Sequence, residues 1–154
     1  MRAYGIRASL FLEADLIQVP RARALGADRI ELYTGPYAHA FGTAEGNRIL
    51  ELHREAAHLA REEGLEVNAG HDLNLANIPA YVASVKGLAE VSIGHALICD
   101  ALYIGLRQAV TAYLKALGSK ASNQPKPVDS HNGSTPWLPR TDSSSCLSRS
   151  GIRF

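Results

Sequence analysis

"GLEVNAGHDLNLANIPAYVASVKGLAEVSIGHALI", Gly64 to Ile98, is the stretch on which the reading of the whole chain turns. Two short β-like runs in it end on the same pair: VNAGH (Val67 to His71) and VSIGH (Val91 to His95), with the two histidines 24 residues apart. Between them lies a short helical piece around Ile78–Val85, broken at Gly87. Strand, helix, strand and helix in that order, with no hairpin signal, is the pattern of parallel strands joined by helical crossovers.

The same phrase extends in both directions. Upstream, "GIRASLFL" (Gly5–Leu12) reads as a strand. It is followed by a helical stretch from Asp15, a candidate N-cap, to Leu25; Pro20 inside it predicts a kink or a late helix start. "RIELYTG" (Arg29–Gly35) is the next strand, with a loop through Phe41 and Gly42. A long helix then runs from Thr43 as cap to Glu63, carrying an apolar stripe at Ile49, Leu52, Ala56, Leu59 and Ala60; Gly64 is its stop. Downstream of the opening stretch, one long apolar helix is expected from His95 to Leu117.

Gly26, Gly64 and Gly87 precede strands, and Gly35, Gly70 and Gly94 follow them. Residues 1–117 therefore read as four consecutive βα units: an α/β domain with a parallel sheet. That is the size of half a (β/α)8 TIM barrel, and a small open sheet fits the pattern as well. Residues 118–154 differ in kind. They hold nine serines and four prolines without helical or strand period, and are expected to be a disordered or out-of-frame tail.

Bulk properties exclude several classes. The formal net charge is +1, which gives no general attraction to nucleic acid or anionic lipid. Residues 1–117 carry 11 Lys/Arg against 13 Asp/Glu, and residues 118–154 carry 5 against 2. Two cysteines, Cys99 and Cys146, do not make a disulfide framework and suit a reducing cytosol. No apolar run is long enough to span a bilayer, and no signal peptide opens the chain. A cytoplasmic protein is expected.

The chemistry-bearing residues cluster at strand ends, the face where parallel α/β proteins place their sites. At Gly94-His95 a strand runs into a helix start, where free N–H groups favour an anion such as phosphate. The same pair also serves a tight βα turn with no ligand. Histidine is the residue type that gives or takes a proton near neutral pH, and His71 is followed by the polar, loop-like "DLNLANIP"; a solvated loop histidine is the plain alternative. Glu31 shares a strand face with Tyr33, opposite Ile30 and Leu32. Facing a barrel interior it is either catalytic or ion-paired; facing solvent it is neither. His53 and His58 in "HREAAH" lack metal-site spacing and are expected on a solvated helix side. P-loop, Rossmann, nucleophile-elbow and CxxC motifs are absent, and no spacing supports a metal site at Glu31, His71 and His95.

"GIRASLFLEAD", "GADRIELYTGPYAHAF", "GLEVNAGHDLNLANIP" and "EVSIGHALICDALYIGLRQAVTAYL" together resemble the pyridoxine 5′-phosphate synthase family, nearly continuously from Gly5 to about Leu114. The resemblance implies a (β/α)8 barrel of which this chain carries the carboxyl-terminal four units, assembled as a homo-octamer. It implies condensation of 3-amino-2-oxopropyl phosphate with 1-deoxy-D-xylulose 5-phosphate to pyridoxine 5′-phosphate, phosphate and water, with no metal or organic cofactor. By the same resemblance His71 is the proton donor and Glu31 stabilises the transition state. Asp72 touches the aminoketone substrate, and Gly94 with His95 binds phosphate. The family's other catalytic groups, a general base among them, belong to strands this chain lacks. The chain alone is accordingly expected to be a truncated, nearly inactive form. A non-catalytic half-barrel that binds phosphate or serves oligomerisation is the alternative.

Overall fold

The computed structural model describes residues 4–118. The expected disordered tail, from residue 119 onward, lies outside them. The order is β1 (Ser9–Leu12), α1 (Gln18–Ala24), β2 (Arg29–Tyr33), α2 (Gly35–His39), α3 (Ala44–Glu62), β3 (Glu66–Gly70), α4 (Ile78–Ser84), β4 (Leu88–Ser92), α5 (His95–Ile104) and α6 (Leu106–Ala116). The four strands form one sheet in the order β1-β2-β3-β4, every pair parallel. The expected four βα units are all present.

The order of the strands matters as much as their direction. Each crossover steps the same way, so right-handed connections put all the helices on one face. A doubly wound sheet would reverse its order and cover both faces. The side chains agree with single winding. Leu10, Leu12, Ile30, Leu32, Val67, Ala69, Leu88 and Val91 all point to one face and join Val19, Ala22, Ala56, Ala60, Ile78 and Tyr81 in the core. Burying each large aliphatic there contributes about 1.5–3 kcal/mol.

The opposite face is polar. Phe11, Glu31, Asn68 and Glu90 lie level across the four strands, with Arg29 and Glu66 one layer below. Arg29 bonds Glu66 at 2.5 Å and Glu90 at 3.0 Å, and Arg7 also pairs with Glu66. The Arg29 hydrogen bond, with Arg7 adding to it, holds the Glu66 carboxyl below the usual range. Between Val67 and Asn68 the pairing skips Ala89, a bulge that raises the local twist of β4.

Local sequence explains the helix starts. Thr43 accepts the Gly46 N–H at 3.1 Å, the expected side-chain cap of α3. The first helix starts late, at Gln18. Asp15 stands before it as a turn residue, accepting the Ile17 N–H at 2.8 Å.

Three expectations are corrected. The segment after β2 is not simply a loop: Gly35–His39 forms α2, with Pro36 in its first turn and Tyr37 buried beneath it. The single helix His95–Leu117 is two. Gly105 takes φ +85°, which breaks the ladder. The resulting α5 and α6 pack on each other, and Tyr113 donates to Asp100 at 2.7 Å. Leu102 and Tyr103, within that apolar stretch, are 81% and 90% exposed. Finally, His53 is not solvated. It is 2% exposed and bonded through Nδ1 to the Tyr81 hydroxyl at 2.9 Å, and burial pushes its pKa down to about 4. His58 is exposed, as expected.

No described helix is long and apolar enough to cross a membrane.

Candidate functional site

Glu31, His71, Asp72, Gly94 and His95 line one open cleft of about 830 Å³ at the carboxyl ends of β2, β3 and β4. Residues 64 positions apart in sequence are brought together by three adjacent parallel strands. His39 from α2 and Glu90 and Ser92 from β4 complete the wall.

Glu31 projects from the polar face of β2, level with Asn68. Its approach to β3 depends on Gly70. A Cβ on Gly70 would lie 2.5 Å from Glu31 Oε1 and 2.9 Å from Ser92 Cβ. Glycine at this strand end makes room for the carboxylate.

The chain then bends sharply. His71 and Asp72 take φ +86° and +58°, the left-handed region that residues with a Cβ enter at a cost. They are the described non-glycine residues with positive φ. Several hydrogen bonds hold them there. The Thr34 N–H donates to the Gly70 carbonyl at 2.9 Å. The Thr34 hydroxyl lies 2.6 Å from the same oxygen and in hydrogen-bond contact with the His71 carbonyl. Asn77 donates from Nδ2 to the Asp72 carbonyl at 3.3 Å and accepts the Asn74 N–H at 2.8 Å. Tyr37 in turn donates to the Asn77 carbonyl at 3.0 Å. The loop read as merely polar is thus pinned on both sides. The His71 ring is exposed, edge-on to Tyr33 at 5.3 Å and tilted against Phe11 at 5.7 Å.

The second junction is built differently. Gly94 is the N-cap of α5 with φ −115°, and a Cβ there would meet nothing within 4 Å. No side chain caps the helix, and its first turn holds no acidic residue. The first intrahelical amide is Ile98, bonded to Gly94 at 3.1 Å. The N–H groups of His95, Ala96 and Leu97 are therefore the uncommitted donors of a helix start, and His95 and Ala96 border the cleft. Such a start suits an anion. Among the described residues no group of three His, Cys, Asp or Glu side chains is arranged to hold a metal ion.

The family model described as "Pyridoxal phosphate biosynthesis protein PdxJ" matches residues 1–119. The chain belongs to the PdxJ family. A pyridoxine 5′-phosphate synthase from Albidiferax ferrireducens is 52% identical over 120 residues, 78% of this chain and 48% of the relative. One from Xanthomonas axonopodis pv. citri is 53% identical over 115 residues, covering 75% and 45%. A third, from Xanthomonas campestris pv. campestris, is 47% identical over 121 residues, covering 79% and 47%. The chain spans about half the length of the curated relatives it matches.

Within this PdxJ-family cleft, several residues escaped the sequence reading. Thr34 sits in the strand-end "YTG" and gave a signal only as turn chemistry. Asn74 and Asn77, three apart, form a side-chain-bonded turn; the spacing in "NLAN" was readable. Glu90 was visible as a strand carboxylate of the same parity as Ser92. His39 is hidden because it lies on α2, where the sequence predicts a loop.

Proposed function

We propose that this chain supplies the acid and phosphate-holding part of a pyridoxine 5′-phosphate synthase, within a (β/α)8 barrel whose carboxyl-terminal half these four units form. The observation that carries the reading is the convergence of His71, Asp72, Glu31 and the Gly94-His95 helix start on one cleft. Single winding supports the barrel, as do the open edges at β1 and β4. So do two buried atoms without hydrogen-bond partners, Arg29 Nε and Asn68 Oδ1, both on the polar face. Buried polar atoms are normally paired, and strands closing the barrel would bring partners to that face.

The chemistry follows from the residues. Joining 3-amino-2-oxopropyl phosphate to 1-deoxy-D-xylulose 5-phosphate forms a carbon–nitrogen bond and expels water. The His71 imidazolium delivers a proton to the departing oxygen. The Asp72 carboxylate faces the substrate amine as its counter-charge. The Glu31 carboxylate stabilises positive charge that develops on the condensing nitrogen. Amides of His95, Ala96 and Leu97 hold one substrate phosphate at the α5 N-terminus. None of these steps uses a metal or organic cofactor. The general base and the remaining substrate contacts come from the other strands of the closed barrel, so the described units alone should turn over almost nothing. Ile98, Leu102, Tyr103 and Leu106, exposed on α5 and α6, support assembly into a homo-oligomer, an octamer in this reading, in the cytoplasm.

The test is product formation from the two phosphorylated substrates. It compares the 154-residue chain alone with the chain co-expressed with the amino-terminal half of the Albidiferax ferrireducens relative. Activity only in the pair is expected. Full activity from the chain alone, or none in a well-folded pair, would overturn the reading.

A further inference from the structure

Among the described residues, two threonines stand at helix N-caps, and they use their hydroxyls differently. Thr43 caps α3 by accepting the Gly46 N–H at 3.1 Å. Thr34 is the N-cap of α2, yet makes no side-chain cap bond to it. Its hydroxyl turns instead to β3, where it meets the carbonyls of Gly70 and His71. Thr34 is 0% exposed, so the choice is not a surface accident.

A hydroxyl has one hydrogen to give. The Gly70 carbonyl already receives the Thr34 N–H at 2.9 Å, the last rung of the β2–β3 ladder. The His71 carbonyl has no such ladder partner, because the chain leaves the sheet at that residue with φ +86°. The hydroxyl hydrogen is therefore worth most on His71, where it supplies the partner that the bend removes. In exchange, α2 has no side-chain cap.

We propose that Thr34 is a positioning residue for His71: its hydroxyl holds the left-handed bend at His71–Asp72 and so fixes where the imidazole stands in the cleft. The catalytic meaning of this clamp rests on His71 being the proton donor. The clamp itself is a geometric fact that can be read without any turnover, so the two can fail separately.

The experiment is NMR on the full 154-residue chain and three variants: Thr34→Val, which keeps shape and loses the hydroxyl, Thr34→Ser, which keeps the hydroxyl, and Thr43→Val as a cap control. One-bond Cα–Hα couplings report the sign of φ at His71 and Asp72, and imidazole carbon signals report the His71 ring. Thr34→Val should lose the positive-φ signature at both residues and shift the His71 ring signals. Thr34→Ser should restore both, and Thr43→Val should leave both unchanged even if it melts earlier. A Thr34→Val chain with unaltered His71 and Asp72 signals would overturn the proposal, as would a Thr43→Val chain that moves them equally. If Thr34→Val does not fold, the wild type decides. The Thr34 hydroxyl proton should be slow to exchange and show a coupling across the hydrogen bond to the His71 carbonyl carbon; a rapidly exchanging hydroxyl would sink the clamp.

Discussion

The two Gly-His junctions look alike in sequence and are built on opposite principles. At Gly70-His71 the glycine is needed for space, because Glu31 and Ser92 leave no room for a Cβ, and the strain falls on the histidine. At Gly94-His95 the glycine has open space around it and the histidine begins a regular helix. The first junction is crowded and braced by Thr34, Asn77 and Tyr37. The second is open, and its backbone donors are uncommitted. Bracing fits a group that must present one atom in one place. An open helix start fits the holding of a diffuse anion. The same dipeptide thus takes two different structures because its neighbours differ.

The largest effect that separates them is on turnover. In the barrel completed by co-expression, His71→Ala should lower kcat by about 10²–10⁴-fold, the range for one positioned acid. A substitution at the second junction should act mainly on KM, since holding phosphate in ground and transition states alike is uniform binding. Steady-state kinetics of both variants would break the comparison if the two changed the same constant.

Next comes the support beneath the first junction. His53 bonds Tyr81, whose ring packs 5.3 Å from Tyr37, the donor to Asn77. Burial lowers the His53 pKa from 6.5 to about 4. A depressed histidine is neutral when folded and binds its proton sooner when unfolded. Its contribution is full above about pH 6.5 and is lost as pH falls toward 4, by at most ~3 kcal/mol. Denaturant titrations across that window should show the loss, and His53→Gln should flatten it. An equally steep slope in the variant would assign the effect to other groups.

The glycines give a smaller and sharper contrast. Gly70→Ala should destabilise by about 1–3 kcal/mol through overpacking against Glu31 and Ser92. Gly94→Ala should stay within about 0.5 kcal/mol, because its Cβ meets nothing and its φ is ordinary. Chemical denaturation of both would decide. Equal losses would mean that the crowding at Gly70 is relieved by movement. Smallest of all, Asp72→Gly should stabilise the chain by up to about 1 kcal/mol by removing the φ +58° penalty. A destabilised Asp72→Gly chain would show that the aspartate earns its place structurally.

Much of this was legible in the sequence, and what was missed has physical reasons. Period and glycine punctuation marked all four strands, because a buried parallel strand and its turn each need particular residue types. The cap at Thr43 is local chemistry and was readable. His53 had a readable signal too: Ile49, His53, Ala56 and Ala60 follow a 4-3-4 spacing, so it lies on the buried stripe of α3. Its polarity argued for solvent, and only Tyr81, 28 residues away, makes its burial affordable. Gly105 carries no break signal by itself because helices tolerate single glycines; φ +85° shows that this one does not continue its helix. At Thr34 the sequence shows only turn chemistry, because the hydroxyl's partner is a carbonyl 37 residues away. The strain at His71 was likewise invisible, since nothing in "GHD" announces a left-handed backbone.

The division of labour between the junctions is tested most directly by inorganic phosphate, titrated into the 15N-labelled 154-residue chain and followed by amide shifts. The account predicts saturable movement of the His95, Ala96 and Leu97 amides, with His71 and Asp72 nearly still. Movement at His71 and Asp72 with the α5 amides unchanged would contradict it.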